Sequence, residues 1–530
     1  MTWSGNRWRS TARASAAVLL LNAALTFENV WPTPAITWRG GLSVELAIAV
    51  TALGFVVRRS GPISRRFTAV LGGLWLVLAA ARYAEVTAPA LYGREVNLYW
   101  DVRFIPDVAA MITRVAPTWT ILGVVVAFAV MTWLLHRIFS WSFHELIGAL
   151  SRPHQWRGIM AGSALVLLLF ALQRAKGGVP LSLPPPVLQT YAHQLSLVAR
   201  ARSSTHTLPP TPSLESSFER LEDTDVFVVF IESYGAVSYR PDVALPLASV
   251  RSRLSSDIAA TGRRVVSALV ESPTFGGSSW LAHLSFASGV EVRDPDTNAL
   301  LMTQPRDTLV KSFGRHGFRT IALMPGLRQH WPEGRFYGFD RIYGARQLAY
   351  TGPEFGWFAI PDQFSLAKLD ALEATGPARR RFVFFPTIST HFPFSPTPPY
   401  QPQWSRMFES LPFDGPDIVR AYAHQPDWTN FAPGYVEALA YDFTSIGGYL
   451  RQWPERKLLM VLIGDHQPPA AVSGEGASWN VPVHVIASEA AILERLKERG
   501  FVDGLTPSAT ALARMHLLAP MLLEAFGEHE

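Results

Sequence analysis

Five apolar stretches occupy the first 176 residues of this chain, and they limit its fold more than any other feature. They run from Ala14 to Trp31, Gly41 to Val57, Phe67 to Tyr83, Pro117 to His136 and Gly158 to Leu172. Each approaches the ~20 helical residues that cross the ~30 Å hydrocarbon core of a membrane. Only 17% of the 530 residues are charged, against about 25% in soluble proteins. We predict an N-terminal α-helical membrane domain of five spans over residues 1–176.

Arginine is distributed unevenly between the loops that connect these stretches. One set of loops holds ten arginines and the other holds four, and loops rich in Lys and Arg remain in the cytoplasm. The ten are Arg7, Arg9, Arg13, Arg58, Arg59, Arg65, Arg66, Arg137, Arg152 and Arg157, and the four are Arg39, Arg94, Arg103 and Arg114. We expect a multi-pass protein of the bacterial inner (plasma) membrane, with a cytoplasmic N-terminus and a periplasmic or extracellular C-terminal half.

Composition excludes several classes of protein. The chain contains no cysteine, which rules out disulfides, thiolate nucleophiles and cysteine-ligated metal sites. The net charge is only +5, and arginine flanks apolar runs instead of forming a basic face with interleaved aromatics. We therefore expect no nucleic-acid partner.

Proline marks the transition to a second region. Residues 177–224 place GGVPLSLPPP and SSTHTLPPTPS around a moderately amphipathic stretch, and proline at this density makes a semi-rigid spacer. From Asp225 to Glu530, short apolar runs alternate with longer mixed segments, which is typical of strands joined by helices. We predict a Pro-rich linker with a short helix over 177–224. An extracytoplasmic α/β domain over 225–530 follows, with a mostly parallel sheet sandwiched by helices.

Polar side chains follow several of these apolar runs. VFVVFIE ends in Glu232, KLLMVLIG is followed by Asp465 and His466, and RFVFFPTIST leads to His391. RRVVSALV leads into ESPTFGGSSW, and TIALMPG leads toward Trp331. Ligands of open α/β sheets bind beyond the carboxyl ends of the strands, so we expect these segments to converge on one crevice.

Glu232, Asp465 and His466 are candidate metal ligands. A carboxylate after six apolar residues is costly to bury unless it is paired or bound to a metal, although a strand-end Glu232 also has the option of facing solvent. Gly464 allows a tight turn that aims Asp465 and His466 at one point. Carboxylate oxygen and imidazole nitrogen suit a divalent ion of the zinc or manganese type.

Two further residues have alternative interpretations. GGSS at Gly276 to Ser279 precedes a helix-like stretch, where a serine is commonly a helix cap. The same geometry favours a phosphate and a serine nucleophile activated by a metal. His391, in THFPF, is placed either to protonate a leaving alkoxide or to form a hydrogen bond in the core.

These motifs, in this order, resemble the alkaline phosphatase/sulfatase superfamily. The resemblance is to its membrane-anchored branch of lipoteichoic acid synthases and phosphoglycerol and phosphoethanolamine transferases, and it covers the anchor, the linker and the C-terminal domain. It implies an alkaline phosphatase-like fold and the following roles. The implied metal ligands are Glu232, Ser279, Asp465 and His466, with Ser279, ten residues before Gly289, as nucleophile and His391 as leaving-group residue; the implied substrate contacts are Trp331, Ser278, His330 and Arg335.

Departures from the family pattern narrow the chemistry. Sulfatases convert a Cys or Ser followed by X-Pro-X-Arg to formylglycine, whereas Trp-Leu-Ala-His follows Ser279 here. Lipoteichoic acid synthases place a substrate-contact His a few residues before the Trp, and MPGLRQHW lacks it, although His330 stands directly before Trp331. Lipid A phosphoethanolamine transferases usually carry disulfides, which this chain cannot form. We therefore favour phosphoryl over sulfuryl transfer, with an unassigned head group.

The function predicted from this resemblance is a metal-dependent phosphoryl-head-group transferase of the cell envelope. It would use one divalent ion, Mn or Zn, a membrane phospholipid as donor, an envelope glycan or lipid as acceptor, and a phosphoserine intermediate at Ser279. One alternative is a membrane-anchored, sulfatase-like hydrolase or phosphodiesterase that uses water as acceptor. Another is a non-catalytic envelope binding protein.

Overall fold

The computed structural model describes residues 3–61, 63–93, 95–97, 101–102, 105–106, 109, 113, 118–176, 183–202, 208–329, 331, 333–374 and 379–527. The chain divides into two compact units. The first comprises Met1–Leu91 and Glu95–Ser204, and the second comprises Tyr92–Arg94 and Thr205–Glu530.

The first unit is built from helices. They are α1 (Trp3–Thr26), α2 (Val44–Ser60), α3 (Arg65–Tyr92), α4 (Thr118–Leu150), α5 (Pro153–Lys176) and α6 (Val187–Arg202), with a short ribbon of β1 (Glu28–Asn29) and β2 (Ile36–Thr37) after α1. Among the described residues, three helices are long and apolar enough to cross a membrane, namely α3, α4 and the Pro153–Arg174 part of α5. Helices α1 and α2 coincide with the first two predicted spans but do not meet the same criteria.

The exposed side chains of helix α4 indicate whether this unit lies in water or in lipid. Its N-terminal half exposes large apolar side chains, including Trp119, Leu122 and Phe128, whereas Phe139, Phe143 and Leu146 in its C-terminal half pack in the core of the unit. Exposed apolar surface on this scale is stable in lipid and not in water. The helical region is therefore the membrane part of the protein.

The second unit is organised around a nine-stranded mixed sheet. The strands are β3 (Asp225–Ile231), β4 (Arg264–Glu271), β5 (Arg319–Met324), β6 (Arg341–Gly344), β7 (Arg381–Pro386), β8 (Leu458–Gly464), β9 (Asn480–Ala487), β10 (Val502–Asp503) and β11 (Ala511–Arg514). Their order is β10-β4-β9-β8-β3-β7-β5-β6, with β11 beside β4. Strands β8, β3, β7, β5 and β6 pair in parallel, whereas β9 is antiparallel to both β8 and β4.

Both faces of this sheet are covered. Alternate residues of β3 belong to two hydrophobic cores, with Val228 and Phe230 in one and Val229 and Ile231 in the other. The helices of the unit are α7 (Pro241–Ala260), α8 (Ser279–Ser288), α9 (Pro295–Met302), α10 (Leu309–Arg315), α11 (Gly334–Tyr337), α12 (Ala345–Leu348), α13 (Asp362–Glu373), α14 (Gly415–Ala423), α15 (Ala432–Gln452), α16 (Ala470–Ser473), α17 (Ala490–Glu498) and α18 (Leu518–Phe526). Helices α8, α10, α17 and α18 contribute to the first core, and α7, α13 and α15 contribute to the second.

The register of the central strands places their ends together. Ile231 at the end of β3 lies opposite Gly464 at the end of β8, and Phe230 lies opposite Pro386 at the end of β7. The residues that follow these strands therefore emerge at one edge of the sheet, as the carboxyl ends of parallel strands must. This edge carries the candidate site.

Candidate active site

The ends of β3 and β8 bring three buried side chains into one group. Nε2 of His466 lies 3.3 Å from Oε1 of Glu232 and 3.7 Å from Oδ2 of Asp465. One ligand atom from each of the three residues lies within 4.8 Å of the others. Two carboxylates and an imidazole that are far apart in sequence thus share one point in space.

A glycine-dependent turn aims Asp465 and His466 at this point. A Cβ atom at Gly464 would overlap the backbone carbonyl oxygen of Tyr234, so that only glycine fits beside this backbone segment. Oδ1 of Asp465 accepts hydrogen bonds from the backbone N–H of Ser233, at 2.8 Å, and of His466, at 2.6 Å. The turn is therefore held by one oxygen of Asp465 while the other oxygen faces the group.

Ser279 enters the group from a turn with a left-handed backbone. Gly276, Gly277 and Ser278 have φ values of 66°, 145° and 62°, and for the serine this conformation costs about 1–3 kcal/mol. Ser278 stands at the N-cap of α8 but makes no side-chain capping hydrogen bond. The Ser279 hydroxyl donates to Oε2 of Glu232 at 2.8 Å and lies 3.1 Å from Nε2 of His466. Its hydroxyl therefore points into the carboxylate–imidazole group.

The donor set fits one divalent cation. Oδ2 of Asp465 is buried without a hydrogen-bond partner among the described residues, which is costly unless another group occupies the point it faces. Nδ1 of His466 lies 2.7 Å from the carbonyl oxygen of Gln467, so Nδ1–H donates there and Nε2 is presented to the group. Carboxylate, imidazole and hydroxyl donors together suit zinc or manganese.

The pKa shifts of these three residues also favour positive charge at this point. Burial lowers the pKa of His466, but the carboxylates of Asp465 and Glu232 raise it to about 9. Burial raises the pKa of Asp465, and the nearby charge of Glu232 raises it further, well above its usual range. Burial also raises the pKa of Glu232, but His466 and His391 lower it below its usual range. Because two buried carboxylates meet here, positive charge stabilises the group.

The loop after β7 forms a hydrogen bond with the backbone of Glu232, a candidate metal ligand. The Thr387 hydroxyl accepts a hydrogen bond from the backbone N–H of Glu232 at 3.1 Å and donates to Oδ2 of Asp442 at 3.0 Å. The carboxylate of Asp362 accepts from the backbone N–H groups of Ile388 and Ser389. Two buried aspartates thus fix the backbone that leads to His391.

His391 lies at the end of this loop. Its Nδ1 is 2.7 Å from the carbonyl oxygen of Phe392, and the ring of Phe358 meets its imidazole at 90° with centroids 5.0 Å apart. The imidazole is close enough to lower the pKa of Glu232. With Nδ1–H directed to the carbonyl, Nε2 is the atom that can exchange a proton with a substrate.

The predicted substrate-contact residues differ in how far they are buried. Trp331 is partly buried and packs on Tyr337 with ring centroids 5.2 Å apart. Arg335 is exposed. Within the part of the chain that the structure describes, neither side chain forms a hydrogen bond with Glu232, Ser279, Asp465 or His466. His330 lies outside the described residues.

Sequence reasoning missed Thr387, Asp362 and Asp442 as supports of the site. Asp442 lies in the middle of α15, among residues that are almost all buried. A carboxylate at such a position in a largely apolar helix signals a buried hydrogen-bond network. The role of Thr387 left no comparable trace in the sequence, because its partners are 155 and 55 residues away.

Comparison with known proteins shows the fold. No family model and no curated protein matches the chain. Among solved structures, the integral membrane protein lipooligosaccharide phosphoethanolamine transferase A (EptA) from Neisseria meningitidis is 12% identical, with a TM-score of 0.50, and the match covers 96% of this chain and 95% of EptA.

Two other solved structures match a smaller part of the chain. The lipoteichoic acid synthase LtaP from Listeria monocytogenes is 13% identical over 55% of this chain and 71% of its own, with a TM-score of 0.35. The phosphoglycerol transferase GacH from Streptococcus pyogenes is 12% identical over 61% of this chain and 85% of its own, with a TM-score of 0.37.

The match to EptA includes both the helical region and the α/β region. It confirms a helical N-terminal region followed by an α/β domain, and at this low identity it carries no conclusion about substrate or mechanism. The chain is therefore similar in fold to EptA over nearly its whole length.

Proposed function

We propose that this protein is a metal-dependent transferase of phosphoryl head groups, of the phosphoglycerol or phosphoethanolamine type, in the cell envelope. The observation that carries the proposal is the position of the Ser279 hydroxyl, 2.8 Å from Oε2 of Glu232 and 3.1 Å from Nε2 of His466. A hydroxyl at the N-terminus of a helix, beside buried carboxylates and an imidazole, is arranged as a nucleophile.

In the first step Ser279 attacks the phosphorus of a phospholipid head group. The bond from Oγ to phosphorus forms, the bond from phosphorus to the diacylglycerol oxygen breaks, and the head group remains on the serine as a phosphodiester. Glu232 accepts the hydroxyl hydrogen bond, which orients Oγ, and it takes the hydroxyl proton as the bond to phosphorus forms. The same proton returns to Oγ when the head group leaves the serine. A divalent ion, Mn or Zn, held by Glu232, Ser279, Asp465 and His466 would supply positive charge that lowers the pKa of the hydroxyl and offsets the charge of the phosphoryl group.

His391 supplies the proton chemistry on the other side of the phosphorus. Its Nε2 protonates the departing alkoxide in the first step and accepts a proton from the second alcohol in the next. An envelope glycan or lipid hydroxyl then takes the head group from Ser279. One phosphodiester is exchanged for another, so the reaction needs no nucleotide.

We also propose a membrane topology for the chain. We place five spans in the first 176 residues, a linker over 177–224 and the catalytic domain, a largely parallel sheet between helices, over 225–530 in the periplasm or outside the cell. The distribution of ten and four arginines supports a cytoplasmic N-terminus. This arrangement keeps the site on the side of the membrane where donor lipid and acceptor glycan are found.

The direct test is to trap the intermediate. The metal-loaded, full-length protein is incubated with mixed membrane phospholipids, and the peptide that contains Ser279 is weighed by mass spectrometry. We expect a phosphodiester adduct whose mass identifies the head group. Ser279→Ala should form no adduct, and its turnover should fall by at least about 10³-fold. Ser256→Ala, at an exposed serine of α7, is the matched control and should keep the adduct.

Three results would redirect the proposal. Full activity of Ser279→Ala toward phosphodiesters would exclude the serine as nucleophile. Release of a soluble head group, without labelling of any lipid or glycan acceptor, would identify a hydrolase with the same site. Absence of both the adduct and a stoichiometric divalent ion would favour a non-catalytic binding protein.

A further inference from the structure

His283 is a buried imidazole beside the site that has no role in the steps above. It lies in α8, one helical turn after Ser279, and is only 8% exposed. Its ring packs on Phe230, with centroids 4.6 Å apart, and on Phe384, with centroids 5.7 Å apart. Packing against two phenylalanines is typical of a core residue. A buried ring nitrogen without a hydrogen-bond partner is not.

Nε2 of His283 has no hydrogen-bond partner among the residues that the structure describes. A buried polar atom left unpaired costs about 1–3 kcal/mol, and an apolar side chain of similar shape would avoid this cost. The unpaired atom therefore indicates a partner that arrives from outside the chain.

The course of α8 along β3 shows where that partner would be. At the start of the helix Ser279 contacts Glu232, and four residues later, about 6 Å along the axis, His283 contacts Phe230. Phe230 precedes Glu232 by two residues, about 6.6 Å along the strand. Helix and strand therefore run side by side, and His283 lies one layer beneath the site.

The charges of Glu232 and His466 also influence the pKa of His283. Burial lowers the pKa of His283 to about 4, while Glu232 raises it and His466 lowers it. Both residues belong to the candidate metal group. The ring of His283 is thus a neutral imidazole close to that group.

His283 is nevertheless distinct from the metal ligands. Among the described residues, the group whose ligand atoms lie within 4.8 Å of one another contains Glu232, Asp465 and His466 but not His283. A phosphoryl group on Ser279 would extend from the same helix turn and bring its own oxygen atoms.

We propose that His283 is a further catalytic residue, whose Nε2–H donates a hydrogen bond to a non-bridging oxygen of the phosphoryl group as it is transferred to and from Ser279. The inference rests on the proposed function of Ser279. In this step the bond from Oγ to phosphorus forms and the bond to the leaving alcohol breaks, while the His283 proton stays on nitrogen. The hydrogen bond strengthens as negative charge accumulates on the phosphoryl oxygens.

His283→Phe is the decisive variant, because it keeps the ring packing and removes the unpaired nitrogen. We expect its metal-free form to unfold at the same temperature as the wild type or higher. Formation of the Ser279 adduct, measured by rapid quench and mass spectrometry, should slow about 10–100-fold. Binding of inorganic phosphate to the metal-loaded protein should weaken about 10-fold by calorimetry. His283→Gln, with an amide donor of similar reach, should recover part of both losses.

His484→Phe is the matched control, since His484 is an equally buried histidine whose two nitrogens are both paired. It should lower the unfolding temperature and leave phosphate affinity and the rate of adduct formation unchanged.

Wild-type rates and phosphate affinity in both His283 variants would overturn the inference. If that variant does not fold, the Gln variant alone decides through its phosphate affinity, which must fall below that of the wild type. Failure of the proposed function is distinguishable, because then Ser279→Ala also keeps full activity.

Discussion

The protein has two buried histidines near each other in the sheet, His466 directly after β8 and His484 within the neighbouring strand β9. They differ in the charge of the groups that surround them. Both nitrogens of His484 are paired, Nδ1 with the Ser267 hydroxyl at 2.6 Å and Nε2 with the Tyr234 hydroxyl at 2.9 Å. Burial and the charge of Arg251 lower its pKa to about 3. His466 faces two carboxylates instead, and its pKa is raised to about 9.

The difference separates structural from functional polar groups. Around His484 each nitrogen meets a neutral hydroxyl, so the imidazole is neutral and holds strands together. Around His466 the carboxylates of Glu232 and Asp465 meet, one oxygen of Asp465 has no partner among the described residues, and the three side chains could hold a metal ion. Buried polar residues of the same type thus serve different purposes, depending on whether the chain itself completes their hydrogen bonds.

We expect the largest effect from a substitution in the group around His466. Asp465→Ala removes a carboxylate that faces the ligand group and the acceptor that holds the Gly464 turn. We expect loss of the stoichiometric divalent ion and at least about 10³-fold loss of phosphodiester turnover. Elemental analysis of the purified protein and a turnover assay measure both, and normal metal content would contradict the assignment.

A smaller loss is expected when the ligand group is left intact and the proton donor is removed. His391→Gln should reduce the rate of turnover by about 10²–10⁴-fold and leave the metal content unchanged. A substrate with a good leaving group, such as a nitrophenyl phosphodiester, should lose much less, because its departure needs no proton. Equal losses on both substrates would exclude the role of His391 as the acid.

On the His484 side, the same kind of change should affect stability and not chemistry. Ser267→Ala leaves Nδ1 of His484 without its hydroxyl partner in a buried site. We expect about 1–3 kcal/mol of destabilisation, measured by denaturant unfolding, with metal content and turnover unchanged. A change in turnover of the folded variant would show that the two histidines are coupled.

The smallest effect concerns pH and the aspartates that support the His391 loop. Burial raises the pKa of Asp362 to about 6, and burial and the charge of Asp362 raise that of Asp442 well above its usual range. Folded-state pKa values above the unfolded ones stabilise the fold at low pH, and this contribution is lost as pH rises through about 6.

Asp442→Asn imitates the protonated partner and should weaken this dependence. Between pH 5 and pH 8, the wild type should lose a few degrees of unfolding temperature relative to the variant. Thermal unfolding at several pH values checks the difference, and parallel curves would contradict the assignment. His424, an exposed histidine, supplies a control through His424→Gln, which should parallel the wild type.

Much of the fold was predictable from local pattern. The apolar stretches that become α3, α4 and α5 were visible because hydrophobicity reports the environment of a segment regardless of its neighbours. Glu232, His391, Asp465 and His466 were recognisable because each follows an apolar run in the order of a known family. The spacing from Ser279 to Gly289 likewise needed no three-dimensional information.

Other features required the tertiary structure, because hydrogen bonds depend on distances that strand register sets. The two contacts of the Ser279 hydroxyl join residues 47 and 187 positions away. The link from Asp442 through Thr387 to Glu232 depends on the packing of α15 beneath β7. The unpaired nitrogen of His283 was likewise invisible in sequence, because the lack of a partner is a property of the whole surroundings and not of the residue.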